Sequence, residues 1–80
     1  MLHEANTRRA RAASGIRAYL HDHPHAADTE HGIAQWWLPQ VGVEVPLADV
    51  QSALRALVQR GDVQRTVLPD GTAIYRGLAP

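Results

Sequence analysis

The sequence predicts an α+β domain that is mostly helical, with three helices and a C-terminal β-hairpin. Three observations carry this expectation. Apolar residues recur at helical spacing in three stretches, residues 5–22, 28–38 and 46–60. Breakers separate them: Pro24 after the first, Pro39 after the second and Gly61 after the third. Beyond Gly61, two β-prone runs within residues 63–76 flank Pro69-Asp70-Gly71. With 80 residues in all, residues 1–80 read as one domain.

The first helix is rich in Ala and Arg, both good helix formers. Ala13, Ile16, Tyr19 and Leu20 make its apolar stripe, set against Arg8, Arg11 and Arg17. Gly15 costs about 1 kcal/mol of helix propensity relative to Ala, which points to close packing at that position. Asp22 to Pro24 ends the helix, because the residue before a proline is pushed away from helical angles. Asp28 or Thr29 then serves as an N-cap, with Glu30 in the first turn complementing the helix dipole. The second helix buries Ile33 and Trp37 and stops at Pro39. The stretch from Gln40 to Val45, with Gly42 among alternating valines, reads as extended or irregular. Pro46 suits the first position of the third helix, where its missing N–H is no loss. Leu47, Val50, Leu54, Leu57 and Val58 form that helix's buried face, and Gly61 is a left-handed cap at its end. In the hairpin, Pro69 presets φ for a type I turn and Gly71 takes the positive φ of a bulge residue. Residues 77–80 are expected to fray.

Composition excludes several classes. A 45% hydrophobic content is ordinary for a folded domain. The chain has no cysteine, hence no disulfide, Cys-based zinc site or thiol nucleophile. No apolar run approaches the roughly 18–20 residues that span a bilayer, and no signal-peptide core is present. A soluble, cytoplasmic protein with no membrane partner is the expectation. Formal net charge is zero, yet the charges are segregated. Residues 1–20 hold four Arg and one Glu, residues 21–50 five acids and no Arg, and residues 51–80 four Arg and two Asp. Nucleic-acid binders usually carry a clear basic excess, which the sum does not provide.

The order helix, helix, helix, hairpin resembles the winged helix-turn-helix family, most sharply from Val45 to Arg76. There Val50, Leu54, Leu57, Gly61 and Val63, followed by Asp70-Gly71 and Ile74-Tyr75-Arg76, are similar to that family's third helix, tight cap and wing. The resemblance implies a small bacterial DNA-binding protein that regulates transcription, with the third helix in the major groove and the wing on the backbone. Its outward positions would be Ala48, Gln51, Ser52, Arg55 and Gln59. Gln51 has the chemistry to pair with adenine, and Arg55 with guanine or a phosphate. Arg65, Thr72 and Arg76 would hold phosphates from the wing. Two features depart from the family pattern. The link from Leu38 to Leu47 exceeds the roughly three-to-four-residue turn of a standard helix-turn-helix. Asp49 stands in the first turn of the reading helix, where family members tend to carry Ser, Thr, Arg or Lys; its carboxylate either repels phosphates or complements the helix dipole.

A second reading is a winged-helix interaction module, an accessory subunit docking through Trp36 and the wing. Trp36 and Trp37 lie about 100° apart on a helix and cannot both face inward. Trp37 shares a face with Ile33, while Trp36 is placed at the edge of the core, either half-buried or as a partner anchor. The arginines Arg8, Arg9, Arg11 and Arg17 form either a phosphate-binding stripe or a solvated helix face. Leu2, Ala5, Ala12 and Ile16 are the candidate homodimer surface on the first helix. His21, His23, His25 and His31 crowd one short loop region with Asp22 and Asp28; they read as exposed loop histidines, with a metal site at His21, His23 and His25 or a pH sensor as the alternatives. The reading assigns no metal and no cofactor. A catalytic role has no motif behind it, since no phosphate-cradling Gly loop or Ser-His-Asp arrangement is evident. The expectation is a protein that is not an enzyme.

Overall fold

Helix α1 runs over Leu2–Asp22, somewhat longer at its N-terminus than the apolar pattern indicates. The structure, a computed structural model, describes residues 2–78, with side-chain surroundings for Glu4 and residues 6–78. Helix α1 packs one face on the rest of the chain, where Ala12 and Ile16 have no exposed surface. They are therefore core residues and not available as a dimer surface; the side chains of Leu2 and Ala5 lie outside the described set. Gly15 sits where α1 passes closest to the next layer. A Cβ there would lie 2.8 Å from Leu38 Cδ2 and 3.1 Å from Val43 Cγ2.

After α1 the chain forms a two-residue strand, β1 (Ala27–Asp28), where the sequence suggested only a loop. So short a strand carries no readable alternation, and it exists because the last strand, β3 (Ala73–Gly77), offers it an edge. Thr29 is the N-cap of α2 (residues 30–40), its Oγ1 accepting from Gly32 N–H at 3.1 Å. Asp28, the other candidate cap, instead accepts from Thr29 N–H at 2.7 Å.

Helix α2 is one continuous helical run made of Glu30–Gly32, a π-turn at Ile33–Trp37, and Leu38–Gln40. It thus passes through Pro39 rather than ending there. The proline explains the wide turn. In an α-helix its ring would clash with the carbonyl four residues back and its missing N–H would break the ladder. Widening by one residue relieves this, and Leu38 N–H bonds the Ile33 carbonyl, five residues back. Past Gln40 the backbone turns through Gly42 (φ 74°) and proceeds irregularly, with Val41, Val43 and Val45 packed on the core.

Helix α3 spans Leu47–Arg60. Pro46 is its N-cap, one position earlier than expected, with ψ 151° and a carbonyl that accepts from Asp49 and Val50 N–H. Val50, Ala53, Leu54 and Leu57 are buried against α1 and α2, and Gly61 ends the helix at φ 82°. Strands β2 (Val63–Val67) and β3 (Ala73–Gly77) follow as an antiparallel hairpin. Leu68 O accepts from Gly71 N–H at 2.9 Å, and Gly71 adopts φ 92°. Gly77, expected in a frayed tail, closes β3, and Leu78 N–H bonds Asp62 O at 3.3 Å; Ala79 and Pro80 lie outside the described residues. The three antiparallel strands are ordered β1-β3-β2. The result is an α+β domain of three helices and a three-stranded sheet. Its core is Ala12, Ile16, Ile33, Trp37, Leu38, Val50, Ala53, Leu54, Leu57, Val63 and Tyr75. No helix among the described residues is long and apolar enough to cross a membrane.

Candidate nucleic-acid interface

The buried stripe of α3 fixes what its other side presents. Ala48, Arg55 and Gln59 are exposed and Ser52 is half-buried, so these four form one strip at helical spacing. That strip contains no carboxylate. Asp49 lies about 100° around the helix from Ala48 and points to the flank, where Arg8 Nε donates to its Oδ2 at 2.9 Å. Asp49 is therefore more than a dipole complement: it ties α3 to α1, and Arg8 is spent in the tie.

Gln51 turns to the opposite flank. Its Nε2 donates to Glu30 Oε1 at 3.1 Å, at the start of α2. Glu30 Oε2 accepts from the Tyr75 hydroxyl at 3.2 Å, and Tyr75 Oη in turn accepts from Arg65 Nε at 3.3 Å. One carboxylate thus joins α2, α3 and the sheet. Tyr75 is buried in the core, which explains why its hydroxyl needs partners.

The alternation of strands separates the two hairpin arginines. Arg65 pairs in register with Tyr75 and shares its face, whereas Arg76 pairs with Gln64 on one side and Ala27 on the other. Arg65 and Arg76 therefore project from opposite faces of the sheet. Arg65 joins Arg55, Gln59, Val58, Glu30 and Tyr75 in lining an open groove of about 390 Å³ between α3 and the hairpin. On its other side Arg65 borders a second cleft, of about 360 Å³, with Thr72, Gly71, Thr29 and His31. The structure thus gathers Arg55, Gln59 and Arg65 with Gln51 nearby, puts Thr72 next door, and leaves Arg76 apart.

The hairpin tip is apolar and acidic. Val67 and Leu68 are 51% and 41% exposed, followed by Pro69 and Asp70. Asp70 Oδ1 accepts from Thr72 N–H at 2.9 Å. Hydrogen bonds from the Thr72 backbone and then its side chain hold the Asp70 carboxyl below its ordinary value. Trp36 is 63% exposed, further out than an edge position, while Trp37 is buried and stacks on Tyr19 at 4.8 Å. His23 stacks on the Tyr19 ring at 4.3 Å. His21, His23 and His25 do not converge on a common point: among the described residues no three metal-ligating side chains are grouped.

Glu30 and Tyr75 were not singled out as site residues from the sequence. Glu30 reads as an ordinary first-turn acid, and only the requirement that a buried tyrosine hydroxyl find a partner signals the network. Comparison of the chain with protein-family models, with curated proteins and with solved structures returns no match.

Proposed function

We propose that the chain is a winged-helix domain that binds duplex DNA, as a transcription regulator would. The succession of helix, short strand, two helices and hairpin, with strand order β1-β3-β2, supports the winged-helix reading. The observation that carries DNA binding is the composition of the α3 strip. Ala48, Ser52, Arg55 and Gln59 carry no carboxylate and face Arg65 across a groove whose one acid, Glu30, is engaged by Gln51 and Tyr75, while Asp49 is turned aside and paired with Arg8. Small residues at positions 48 and 52 let the helix approach base edges, and Arg55 and Arg65 supply donors to phosphates on either side of the groove. Arg76, on the far face, is outside this contact.

Salt dependence tests the reading. Retardation of a mixed-sequence duplex should weaken steeply with added salt, with a log–log slope of about −0.9 per phosphate neutralised. Arg55→Ala and Arg65→Ala should each flatten that slope by about one unit, and Arg76→Ala should leave it unchanged. Absence of retardation at low salt would remove the proposal.

The exposure of Trp36 favours a second reading, a module that docks on a protein through Trp36 and the apolar wing tip. A partner that co-purifies with the wild-type chain and is lost on Trp36→Ala, together with no duplex binding, would select it.

A further inference from the structure

We infer that Glu30 is a positioning residue for base recognition, orienting the amide of Gln51 so that it selects adenine. The inference rests on the DNA-binding reading above and names the base it would read. An unrestrained glutamine can present either its oxygen or its nitrogen in a given direction. A carboxylate only accepts hydrogen bonds, so Glu30 tolerates the nitrogen of Gln51 and not its oxygen. The amide is thereby held with Nε2 toward α2 and Oε1 turned away. Glu30 cannot easily swing off, because its second oxygen is engaged by Tyr75, a residue seated in the core.

Gln51 spends one of its two amide hydrogens on Glu30. The remaining N–H and Oε1 form a donor–acceptor pair. Adenine shows the complementary pair in the major groove, an acceptor at N7 and a donor at N6, whereas guanine shows two acceptors. Guanine would therefore set its O6 against the fixed amide oxygen. The same carboxylate also places a phosphate contact, through Tyr75. With Nε of Arg65 held by the Tyr75 oxygen, the terminal guanidinium nitrogens are the groups left to meet the backbone beside Gln51. One acid at the start of α2 thus sets the spacing between the base-reading side chain and a wing cation.

Selection of duplexes from a random-sequence pool tests the inference, using the wild-type chain, Gln51→Ala, Glu30→Ala and Glu30→Gln. The wild type is expected to enrich sites with adenine at one position, and Gln51→Ala to lose that preference. Glu30→Ala should weaken the preference for adenine about tenfold. Its binding to mixed-sequence duplex should also weaken modestly, because the Tyr75 hydroxyl that holds Arg65 loses its acceptor, so the readout is the ratio of affinities for duplexes with and without adenine at that position. Glu30→Gln should restore most of the preference, because its amide oxygen can still accept from Gln51. Undiminished adenine selection by Glu30→Ala would overturn the inference; should that variant fail to fold by circular dichroism, undiminished selection by Gln51→Ala would do the same. Duplex binding by the wild type with no adenine preference overturns this inference alone, whereas no duplex binding at all overturns the DNA reading with it.

Discussion

Arg8 and Asp49, forty-one residues apart, are joined by a hydrogen-bonded ion pair at 2.9 Å between the first helix and the first turn of the third. The Asp49 side chain is only 13% exposed and that of Arg8 40%, so the pair is partly shielded from solvent. A double-mutant cycle with Arg8→Ala and Asp49→Ala is expected to give a coupling energy of about 0.5–1 kcal/mol, shrinking as salt is added. Duplex binding should follow the same logic. Arg8→Ala leaves a bare carboxylate beside the α3 strip and should weaken retardation, and adding Asp49→Ala should recover it. A coupling of zero in low salt would mean that the two side chains do not meet in solution.

The adjacent tryptophans are expected to behave oppositely. Trp37 is 3% exposed and stacked on Tyr19, so Trp37→Ala should cost about 3–5 kcal/mol, enough to unfold much of a domain this small. Trp36→Ala removes a ring that is mostly in water and should change stability by no more than about 0.5 kcal/mol. Urea titration of both variants checks the pair. Comparable losses would place Trp36 in the core and end its candidacy as a docking anchor.

The outline of the fold was legible because each helix has one apolar stripe, and the first and third also have a chemical stop, before Pro24 and at Gly61. The stripe from Leu47 to Val58, closed by Gly61, needs only its own spacing to be read, and so does the Pro69-Asp70-Gly71 turn. What escaped depends on contacts distant in sequence. Strand β1 is two residues whose existence is decided by β3, and the passage of α2 through Pro39 requires a π-turn that no 3.6-residue periodicity anticipates. At the site, the outward strip of α3 follows from the helix pattern, but the partners of Asp49 and Gln51 do not. Arg8 and Glu30 are 41 and 21 residues away, and nothing local distinguishes them from other surface charges. The divergence of Arg65 and Arg76 follows from strand parity once register is known, and an odd spacing of 11 residues across a turn does not reveal register.

The hairpin turn should loosen in acid. Thr72 donates to Asp70 from its backbone N–H, which holds the carboxyl below its ordinary value of 3.8. A carboxyl depressed in the folded state contributes stability that is present above the unfolded value and lost as pH falls through the folded one. The Thr72 amide resonance should therefore titrate with a midpoint below 3.8, and Asp70→Ala should speed hydrogen exchange at Thr72 at neutral pH. A midpoint at or above the ordinary value would show that the turn does not hold Asp70 as described.

Gly15→Ala sets helix propensity against packing. Alanine is the better helix former by about 1 kcal/mol, and on an exposed face the replacement would stabilise α1. At Gly15 the new methyl would meet Leu38 Cδ2 at 2.8 Å, with Val43 and Val41 methyls at 3.1 and 3.2 Å on the other sides. Leu38 is itself buried and has little room to yield, and overpacking of this kind costs about 1–3 kcal/mol. The net effect is expected to be destabilising, by roughly 1 kcal/mol, which a urea midpoint resolves. The reverse change on the solvent side of the same helix, Ala18→Gly, gives the propensity term alone and should cost about 1 kcal/mol. A gain in stability from Gly15→Ala would mean that α1 does not approach the Leu38–Val43 layer as closely as the structure places it.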